Sequence, residues 1–415
     1  AAAQTPTRVT PMTPDVIDKY EQTLASADFI RRSAMVPMRD GVKLYTILVM
    51  KKGTTNAPIL LSRSPYDAHL SAHRTASQRG VDILEVMDAE FFEDNYIRVY
   101  QDIRGLHRSD GQWVLNRPIV GPVNDTGIDE STDAYDTIDW LVKNTPESNG
   151  KVGVIGSSYL GFTTLMAEIN PHPALKAAVP QSPMVDGWMG DDWFHNGAFR
   201  ISAFEFVVGL SLKKGDGDGD GDFALGMSDD YTRYLEAGSA GDFARMLGVE
   251  QVPGVRKFLE NPAYTEFWSH QAVDKWFEKR PVTIPTMIEV GQWDQEDSYG
   301  GPAVYRAMEA NDKDNKLVSL HIGPWRHSGA NHYGFDLGAL TFTGDTAREW
   351  RVNYVKPFFD HYLKGGPDPK TPPVLTYATG TNQWQRSEKW PMGVAKPIYL
   401  SADGVATFEK PKAAG

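Results

Sequence analysis

The sequence predicts an α/β fold, in which a parallel sheet is covered by helices on both faces. Short apolar runs bounded by turn residues alternate with amphipathic helical patterns through most of the 415 residues, as in doubly covered parallel sheets. One run, Val152 to Ile155, ends in Gly156-Ser-Ser-Tyr-Leu-Gly161 and leads into a helical pattern. Strand, tight turn and helix in this order predict a nucleophile elbow, which presents the hydroxyl of Ser158 above the sheet.

The other elements are assigned in chain order. Residues Met35 to Met50 are typical of a β-hairpin with a turn at Arg39-Asp40-Gly41. A helix from about Asp129 to Lys143 has one apolar stripe, and its acidic first turn suits a helix N-terminus. Further strands are predicted at 58–62, 96–100, 175–179, 283–290 and 317–322, with helices at 302–310 and 345–363.

The alternation of strands and helices stops between about Asp186 and Pro281. This segment is rich in Trp, Phe, Gly and Asp and contains short helical patterns, so we expect a helical cap over the carboxyl edge of the sheet. Beyond Gly365 the pattern changes to antiparallel strands, which are too few to form a stable domain alone. The predicted division is an α/β domain at 1–185 and 281–366, a cap at 186–280, and the start of a β domain at 367–415.

The composition excludes several classes of function. The net charge of −12 argues against binding to nucleic acid and favours cationic or neutral substrates. No apolar run approaches the roughly 18 residues of a membrane helix, and the absence of cysteine excludes disulfides, thiolate metal sites and cysteine nucleophiles. The polar start, Ala1-Ala-Ala-Gln-Thr-Pro6, is typical of a mature chain after removal of an export signal, which predicts a periplasmic or secreted location.

The run from Gly215 to Asp222 alternates glycine with aspartate. Alternating carboxylates could hold calcium, but no acid follows at the distance that closes such a loop. We therefore interpret the run as a solvated loop, and the sequence predicts no metal site.

The elbow departs from the strict pattern G-x-S-x-G, because Leu160 takes the final position and Gly161 comes one residue later. An ordinary connection between strand and helix, with Ser157 or Ser158 capping the helix, is the alternative interpretation. A nucleophilic serine also needs a histidine that accepts its proton and an acid that orients the histidine. These partners therefore decide between the two interpretations.

Candidates for the acid and the base follow two later strands, in the chain order serine, acid, histidine that hydrolase folds use. Asp294 follows the strand at 283–290, and His327 follows the strand at 317–322. Both lie past carboxyl ends of strands, where parallel sheets place catalytic groups. His321 lies inside a predicted strand and is interpreted as a core residue, whereas His332 is a reserve candidate for the base.

The oxyanion formed during an attack on a carbonyl group needs two hydrogen-bond donors. The backbone N–H of Tyr159, next to the nucleophile, is one candidate. The loop after the strand at 58–62 supplies the second through Tyr66, from either its N–H or its hydroxyl. A buried tyrosine at a turn is the alternative interpretation of Tyr66.

Several motifs resemble those of the α-amino-acid ester hydrolases, relatives of cocaine esterase and the X-Pro dipeptidyl peptidases. The motifs are Gly-Ser-Ser-Tyr-x-Gly at the elbow, Gln101-Asp-Ile-Arg-Gly105, Gly190-Asp-Asp-Trp193, Trp293-Asp-Gln-Glu-Asp297 and Gly323-Pro-Trp-Arg-His-Ser328. The glycine three residues after the serine is this family's form of the elbow. The resemblance implies an α/β-hydrolase fold with a helical cap and a C-terminal jelly roll, and a tetrameric assembly.

The resemblance also implies roles for individual residues. Ser158 is the expected nucleophile, His327 the base and Asp294 its orienting acid. Tyr66 and Tyr159 are expected to form the oxyanion hole, and no cofactor is needed for this chemistry.

By the same resemblance, Asp192, Glu296 and Asp297 form a carboxylate cluster that holds the α-ammonium group of a substrate. Crowded carboxylates near a partly dry pocket repel each other, and a cation between them relieves that cost. The alternative interpretation is a solvated acidic loop and an acidic first turn of a helix. The sequence thus predicts hydrolysis of α-amino-acid esters through an acyl-enzyme, with an amine such as a β-lactam nucleus as a second acceptor.

Three alternative functions remain open. The first is an esterase or acylase similar to cocaine esterase or glutaryl acylase, with the same triad and no preference for an ammonium group. The others are an X-Pro dipeptidyl peptidase and a non-catalytic binding protein on a hydrolase scaffold.

Overall fold

The computed structural model of the protein describes residues 20–22, 26–212, 229–401 and 404–410. In this part of the chain the strands are β1 (Tyr20–Gln22), β2 (Phe29–Pro37), β3 (Lys43–Lys51), β4 (Ala57–Ser64), β5 (Ile97–Asp102), β6 (Ser148–Ser158), β7 (Leu175–Pro183), β8 (Phe194–His195), β9 (Ala198–Phe199), β10 (Thr286–Trp293), β11 (Val318–Arg326), β12 (Asp336–Leu337), β13 (Leu340–Thr341), β14 (Val374–Ala378), β15 (Gln383–Ser387), β16 (Tyr399–Leu400) and β17 (Ala406–Thr407). Eleven of them form one central sheet, in the order β1-β2-β3-β5-β4-β6-β7-β10-β11-β14-β15.

The centre of this sheet is parallel and its two margins are antiparallel. Strands β5, β4, β6, β7, β10, β11 and β14 run parallel to one another. The margins comprise β1 to β3, with β3 antiparallel to β5, and β15, which is antiparallel to β14. The hairpin of β2 and β3 and the predicted parallel strands are confirmed. The carboxyl ends of the parallel strands therefore meet at one edge of the sheet.

Helices cover both faces of the sheet, as the sequence predicts. In the described part of the chain they are α1 (Ala68–Ser71), α2 (Gly80–Ile83), α3 (Val86–Glu93), α4 (Glu130–Asn144), α5 (Tyr159–Ile169), α6 (Ala203–Leu212), α7 (Asp230–Ala237), α8 (Ala240–Leu247), α9 (Pro253–Glu260), α10 (Glu266–Ser269), α11 (Val273–Phe277), α12 (Gly300–Glu309), α13 (Thr346–Trp350) and α14 (Lys356–Phe359). Helices α13 and α14 continue into π-helical turns, so that residues 346–364 form one helical run.

Alternate residues of the parallel strands bury opposite faces of the sheet. Leu60 and Ile155 pack with α3 and with the helical run at 346–364. Their neighbours Leu61 and Val154 pack on the other face with α4 and α5. The near-continuous apolar runs in the sequence result from this burial on both sides.

The predicted cap is present between β7 and β10. It contains α6 to α11 and the two-stranded hairpin of β8 and β9. Its aromatic residues pack against one another, as Phe194 does against Phe258 and Trp268. The run from Gly215 to Asp222 lies outside the described residues.

The strand β14 lies within residues 367–415, where the sequence predicts the start of a separate β domain. It pairs in parallel with β11 and thus extends the central sheet, while β15 folds back on it as an antiparallel partner. The division of the chain near residue 366 stays a prediction. Each helix among the described residues is too short or too polar to span a lipid bilayer.

Candidate active site

The predicted nucleophile elbow is present at the junction of β6 and α5. Strand β6 ends at Ser158, and α5 begins at Tyr159. Ser158 has φ 64° and ψ −125°, a strained conformation for a residue with a side chain, which is typical of functional sites. Its side chain makes no capping hydrogen bond to the helix, and Ser157 instead shares a hydrogen bond of 2.8 Å with the Ser328 hydroxyl. The helix-capping interpretation is therefore wrong.

The two glycines of the elbow are required by close packing. A Cβ atom on Gly156 would lie 2.3 Å from the Cβ atom of Leu160. A Cβ atom on Gly161 would lie 2.4 Å from the carbonyl oxygen of Gln181 in the neighbouring strand β7. The glycine three residues after the serine thus lets α5 approach the sheet closely.

Asp294 and His327 form a hydrogen-bonded pair at the carboxyl ends of β10 and β11. The Nδ1 atom of His327 lies 2.9 Å and 3.0 Å from the two carboxylate oxygens of Asp294. Asp294 also accepts hydrogen bonds of 2.9 Å from the backbone N–H groups of Glu296 and Asp297. The loop after β10 therefore fixes the acid, and the acid fixes the orientation of the imidazole.

The electrostatics of this pair favour an ionised acid next to a basic imidazole. Burial raises the pKa of Asp294, but the hydrogen bond and the charge of His327 outweigh it and hold this pKa below its ordinary value. Burial likewise lowers the pKa of His327, while the contacts with Asp294 and the charges of Glu296 and Asp192 outweigh it and raise this pKa. The arrangement suits a histidine that accepts a proton and is stabilised as a cation.

Ser158 and His327 line one cavity, but no hydrogen bond joins these two described side chains. The Nε2 atom of His327 lies 3.6 Å from the Oε2 atom of Glu296. Catalytic hydrogen bonds often tighten only when a substrate is bound. The structure thus brings all three predicted triad residues to one cavity, and their catalytic roles stay predictions.

The competing histidines lie in different surroundings. His321 is fully buried, and its Nδ1 atom accepts a hydrogen bond of 2.9 Å from the Trp350 indole, which confirms that it is a core residue. His332 lines the cavity, but its ring makes no hydrogen bond to an acid among the described residues. His327 is the histidine that is paired with the predicted acid.

Tyr66 reaches the elbow through its hydroxyl. Its backbone N–H donates to the Ser64 hydroxyl at 2.9 Å and is therefore occupied. Burial raises the pKa of the Tyr66 hydroxyl, the charge of Asp192 adds to this, and the adjacent Ser158 side chain acts in the opposite direction. The residue as a whole is 40% exposed, so the interpretation as a buried tyrosine is wrong. Of the two donors that the sequence left open, the hydroxyl is the one that faces Ser158.

Tyr159, the other oxyanion candidate, is fixed by its side chain. The side chain is fully buried, and its hydroxyl accepts a hydrogen bond of 2.9 Å from the backbone N–H of Asn116. Its backbone N–H lies at the first position of α5, where helices leave N–H groups without an intrahelical partner. This N–H is therefore available at the elbow.

Two aspartates brace the loop that carries Tyr66, and the sequence predicted no role for either, although Asp102 lies in the motif Gln101-Asp-Ile-Arg-Gly105. Asp67 has φ 69°, and its side chain accepts the N–H of His69 at 2.8 Å. Asp102, at the end of β5, is fully buried and accepts the N–H of Ala68 at 2.6 Å. Burial raises the pKa of Asp102 to about 7. A polar residue at the end of a buried parallel strand was the available signal for Asp102.

The three predicted ammonium-binding carboxylates lie together beside His327. Asp192 and Glu296 line the cavity that contains Ser158 and His327. Asp297 is fully buried, with its Oδ2 atom 3.9 Å from His327 Nδ1. Neither carboxylate oxygen of Asp297 has a hydrogen-bond partner in the part of the chain that the structure describes.

This crowding is costly in the absence of a ligand. Burial, and then the charges of Asp192 and Asp191, raise the pKa of Asp297 well above its ordinary value. Burial, and then the charge of Glu296, raise the pKa of Asp192 to about 7. A cation that binds between these groups would relieve the repulsion and favour their ionised forms.

Arg200 is a further residue at this site that the sequence analysis missed. Its Nη1 atom lies 3.4 Å from the Oδ1 atom of Asp192, and both side chains line the cavity. Asn196 and Gly197 have positive φ angles of 50° and 84° and form the turn between β8 and β9. The Asn-Gly pair between these strands was the available signal, because such a pair predicts a tight hairpin that brings Arg200 back beside Asp192.

The cavity has a volume of about 910 Å³. Around Ser158 it combines polar groups with the aromatic side chains of Tyr66, Trp193 and Phe206. Among the described residues, no group of three or more His, Cys, Asp or Glu side chains is arranged to hold a metal ion. The cavity therefore brings together a serine at a strained turn, a histidine paired with an acid, hydrogen-bond donors and a cluster of carboxylates.

Comparisons with known proteins give the chain a family. A family model described as X-Pro dipeptidyl-peptidase (S15 family) matches residues 40–329. A solved structure of an α-amino-acid ester hydrolase labelled with selenomethionine is 52% identical, with a TM-score of 0.89, and the match covers 97% of this chain and 67% of that one. An aminopeptidase from a marine-sediment Thaumarchaeota archaeon is 45% identical, also with a TM-score of 0.89, and the match covers 97% and 66% of the two chains.

Among curated proteins, the cocaine esterase of Rhodococcus sp. (strain MB1 Bresler) is 27% identical over 398 residues, which are 91% of this chain and 63% of the esterase. The chain thus spans about two thirds of the length of these relatives. The family match extends from the turn of the first hairpin to the loop that carries His327. The α/β-hydrolase fold and the match over most of the chain agree: the chain belongs to the X-Pro dipeptidyl-peptidase (S15) family of hydrolases.

Proposed function

We propose that the protein is a serine hydrolase that cleaves esters of α-amino acids through an acyl-enzyme. The observation that carries this proposal is the strained turn at Ser158, which opens into the same cavity as the His327–Asp294 pair and two carboxylates, Asp192 and Glu296. A nucleophile alone would support an esterase of any kind. The adjacent negative charge supports a substrate that carries a positive charge.

In the first half of the reaction, the Ser158 hydroxyl attacks the ester carbonyl carbon, and His327 Nε2 takes the hydroxyl proton. Asp294 holds the Nδ1–H of the ring at 2.9 Å and stabilises the imidazolium that forms. The N–H of Tyr159 and the hydroxyl of Tyr66 donate hydrogen bonds to the oxyanion. The C–O bond then breaks, and the imidazolium gives its proton to the departing alcohol.

In the second half, a water molecule attacks the acyl-enzyme and His327 takes its proton. The bond to Ser158 breaks, and the serine oxygen recovers a proton from His327. An amine can replace water as the nucleophile, which would give an amide. A cavity of about 910 Å³ leaves room for a bulky amine such as a β-lactam nucleus beside the acyl group. We therefore include hydrolysis and synthesis of β-lactams with an α-amino acyl group in the proposal.

The position of the carboxylates favours an ammonium on the carbon next to the scissile carbonyl. Glu296 Oε2 lies only 3.6 Å from the imidazole nitrogen that we assign as the base. An ammonium held by Glu296 and Asp192 is therefore close to the carbonyl group that Ser158 attacks. Simple esters lack this cation and would leave the repulsion among the carboxylates in place.

A second candidate function is an aminopeptidase that removes single residues from the amino terminus of a peptide. The α-ammonium of a peptide would occupy the same carboxylates, and one relative is an aminopeptidase. The short separation of Glu296 from His327 favours release of one residue over release of a dipeptide. Comparing an amino-acid anilide with a dipeptidyl-proline anilide distinguishes these activities.

The proposal is tested with phenylglycine methyl ester and the methyl ester of phenylacetic acid, which lacks the amine. We expect a clearly larger kcat/KM for the amine substrate near neutral pH, where the ammonium is present. Equal values would contradict the ammonium site and favour an esterase similar to cocaine esterase. Failure of a serine-directed phosphonate to label Ser158 would contradict catalysis itself.

A further inference from the structure

Arg200 is a cation inside a predominantly acidic site. Its Nη1 atom donates to the backbone oxygen of Asp192 at 3.1 Å and lies 3.4 Å from the carboxylate oxygen Oδ1 of the same residue. The side chain of Asp192 is 14% exposed and that of Arg200 is 25% exposed. The contact is thus largely shielded from bulk water, so that its charge interaction is screened less than on an open surface.

The backbone of the cap fixes this contact. The backbone N–H of Arg200 donates to the carbonyl oxygen of Trp193 at 2.9 Å, which closes the hairpin of β8 and β9. Trp193 is itself buried in the aromatic core of the cap, against Phe258. The backbone of the hairpin therefore holds Arg200 beside Asp192.

Several other charged groups face Asp192. Burial and the charges of Glu296 and Asp294 disfavour its ionised form, whereas His327 and Arg200 favour it. The buried residues Asp191 and Asp297 and the hydroxyl of Tyr66 also interact with it. Of the two cations, His327 must be uncharged before it can act as the base, whereas an arginine keeps its charge at every working pH.

We propose that Arg200 lowers the pH at which Asp192 ionises and thereby sets the lower pH limit at which the enzyme prefers a substrate with an α-ammonium group. The inference rests on the proposed function, because it assigns Asp192 to the ammonium site. Arg200 is a positioning residue in this scheme, since it acts on the substrate through Asp192. A neutral side chain at position 200 would remove this influence, and Asp192 would then ionise only at higher pH.

The test measures kcat/KM for phenylglycine methyl ester and for phenylacetic acid methyl ester, from roughly pH 5.5 to roughly pH 9. The ratio of the two values removes the protonation of His327, which affects both substrates. In wild-type enzyme the ratio should rise with pH as Asp192 ionises, and fall again as the substrate amine loses its proton. In Arg200→Gln the rising limb should move up by about one pH unit, because an adjacent opposite charge shifts a carboxyl pKa by at least that amount.

Three variants separate this effect from general damage. Arg200→Lys keeps the positive charge and should retain most of the wild-type profile. Arg245→Gln removes an exposed arginine of the cap that pairs with Asp242, and it should leave the profile unchanged. In an Asp192→Asn background, Arg200→Gln should cause no further change in the ratio, because the group through which it acts is gone.

The outcomes are distinguishable. A wild-type ratio near one at every pH would overturn the ammonium site and this inference together. A wild-type preference that Arg200→Gln leaves unchanged in size and pH range would overturn only the role of Arg200. An equal loss of ratio from Arg200→Gln with and without the Asp192 carboxylate would also overturn it, since the effect would then bypass Asp192.

Discussion

Two buried carboxylates that lie three residues apart, Asp294 and Asp297, differ in their hydrogen-bond partners. Asp294 accepts hydrogen bonds from His327 and from two backbone N–H groups. Asp297 is even more deeply buried, yet neither of its oxygens has a partner among the described residues. Contacts that favour its ionised form hold the pKa of Asp294 low, whereas burial and neighbouring acids raise that of Asp297.

The difference matches the two proposed roles, a catalytic acid at Asp294 and an ammonium-binding acid at Asp297. An acid that orients a histidine must be ionised before a substrate arrives, and so its hydrogen bonds are complete in the free enzyme. A carboxyl group that recognises a cation gains most when the ligand supplies the missing interaction. The loop after β10 therefore carries Asp294, whose hydrogen bonds are complete, and Asp297, whose oxygens have no partner among the described residues. We expect a bound cation to supply the interaction that Asp297 lacks.

The largest effect is expected at the elbow. Ser158→Ala should abolish turnover of both ester substrates, because no nucleophile remains, while the free energy of unfolding should stay close to that of the wild type. Ser158→Gly should also abolish turnover and increase the free energy of unfolding by about 1 kcal/mol, because glycine adopts φ 64° without strain. Ester hydrolysis and chemical denaturation measure the two effects. Residual turnover by Ser158→Ala would show that another group is the nucleophile.

Removal of the charge of Asp294 should reduce turnover nearly as much as removal of the Ser158 hydroxyl. Asp294→Asn presents an amide to Nδ1, favours the wrong tautomer of His327 and leaves the imidazolium unstabilised. We expect kcat to fall by about 10³-fold to 10⁴-fold for both substrates. The ratio of kcat/KM between the amine and the des-amino ester should change little. A selective loss of activity on the amine ester alone would place Asp294 in the binding cluster instead.

The same substitution at Asp297 should have the opposite effect on substrate selectivity. Asp297→Asn should weaken the preference for the amine ester by about 1–3 kcal/mol, the range for hydrogen bonds to charged groups, and should affect the des-amino ester far less. An unchanged preference would exclude Asp297 from the ammonium site. Asp314→Asn, at an exposed position, provides a matched control.

The stability of Asp297→Asn should also depend on pH. In the unfolded chain Asp297 ionises at its ordinary pKa, whereas in the folded protein this pKa is raised. The wild type therefore loses stability as pH rises from the unfolded pKa towards the folded one. The variant lacks this loss, so its Tm relative to the wild type should increase with pH over that interval. A Tm difference that is constant with pH would contradict the raised pKa.

Much of the fold follows from local patterns in the sequence. The buried strands, the elbow and the cap are predictable because each has a local sequence pattern. Burial on both faces gives apolar runs, crowding at the elbow requires glycines, and the cap is rich in clustered aromatic residues. The place of β14 is not predicted, because Val374 to Ala378 would look the same in any buried strand. Its pairing with β11 is a choice of partner made by the tertiary structure.

The same distinction applies to the site. Asp294 and His327 are predictable because the carboxyl ends of neighbouring parallel strands meet at one edge of the sheet. The donor atom of Tyr66 is not, since it depends on the hydrogen bond between its N–H and Ser64. Arg200 lies eight residues after Asp192, and their contact requires the tight hairpin between them. Residues brought together by strand order are thus easier to predict than those brought together by side-chain reach.

The smallest effect is expected at Glu296, which lies between Asp294 and Asp297 in the same loop. Its Oε2 atom is 3.6 Å from the Nε2 atom of His327, and its charge is among the causes that raise the pKa of the imidazole above its ordinary value. Since the base must be neutral to accept a proton, a raised pKa moves the acid limb of the pH–rate profile to higher pH. Glu296→Gln removes this charge and should shift the acid limb for the des-amino ester to lower pH by up to about one unit. The pH dependence of kcat/KM measures the shift, and the des-amino ester keeps the loss of ammonium binding out of the comparison. A shift of the acid limb to higher pH would mean that the charge of Glu296 does not raise the pKa of His327. The contact between these two side chains would then be one of packing alone.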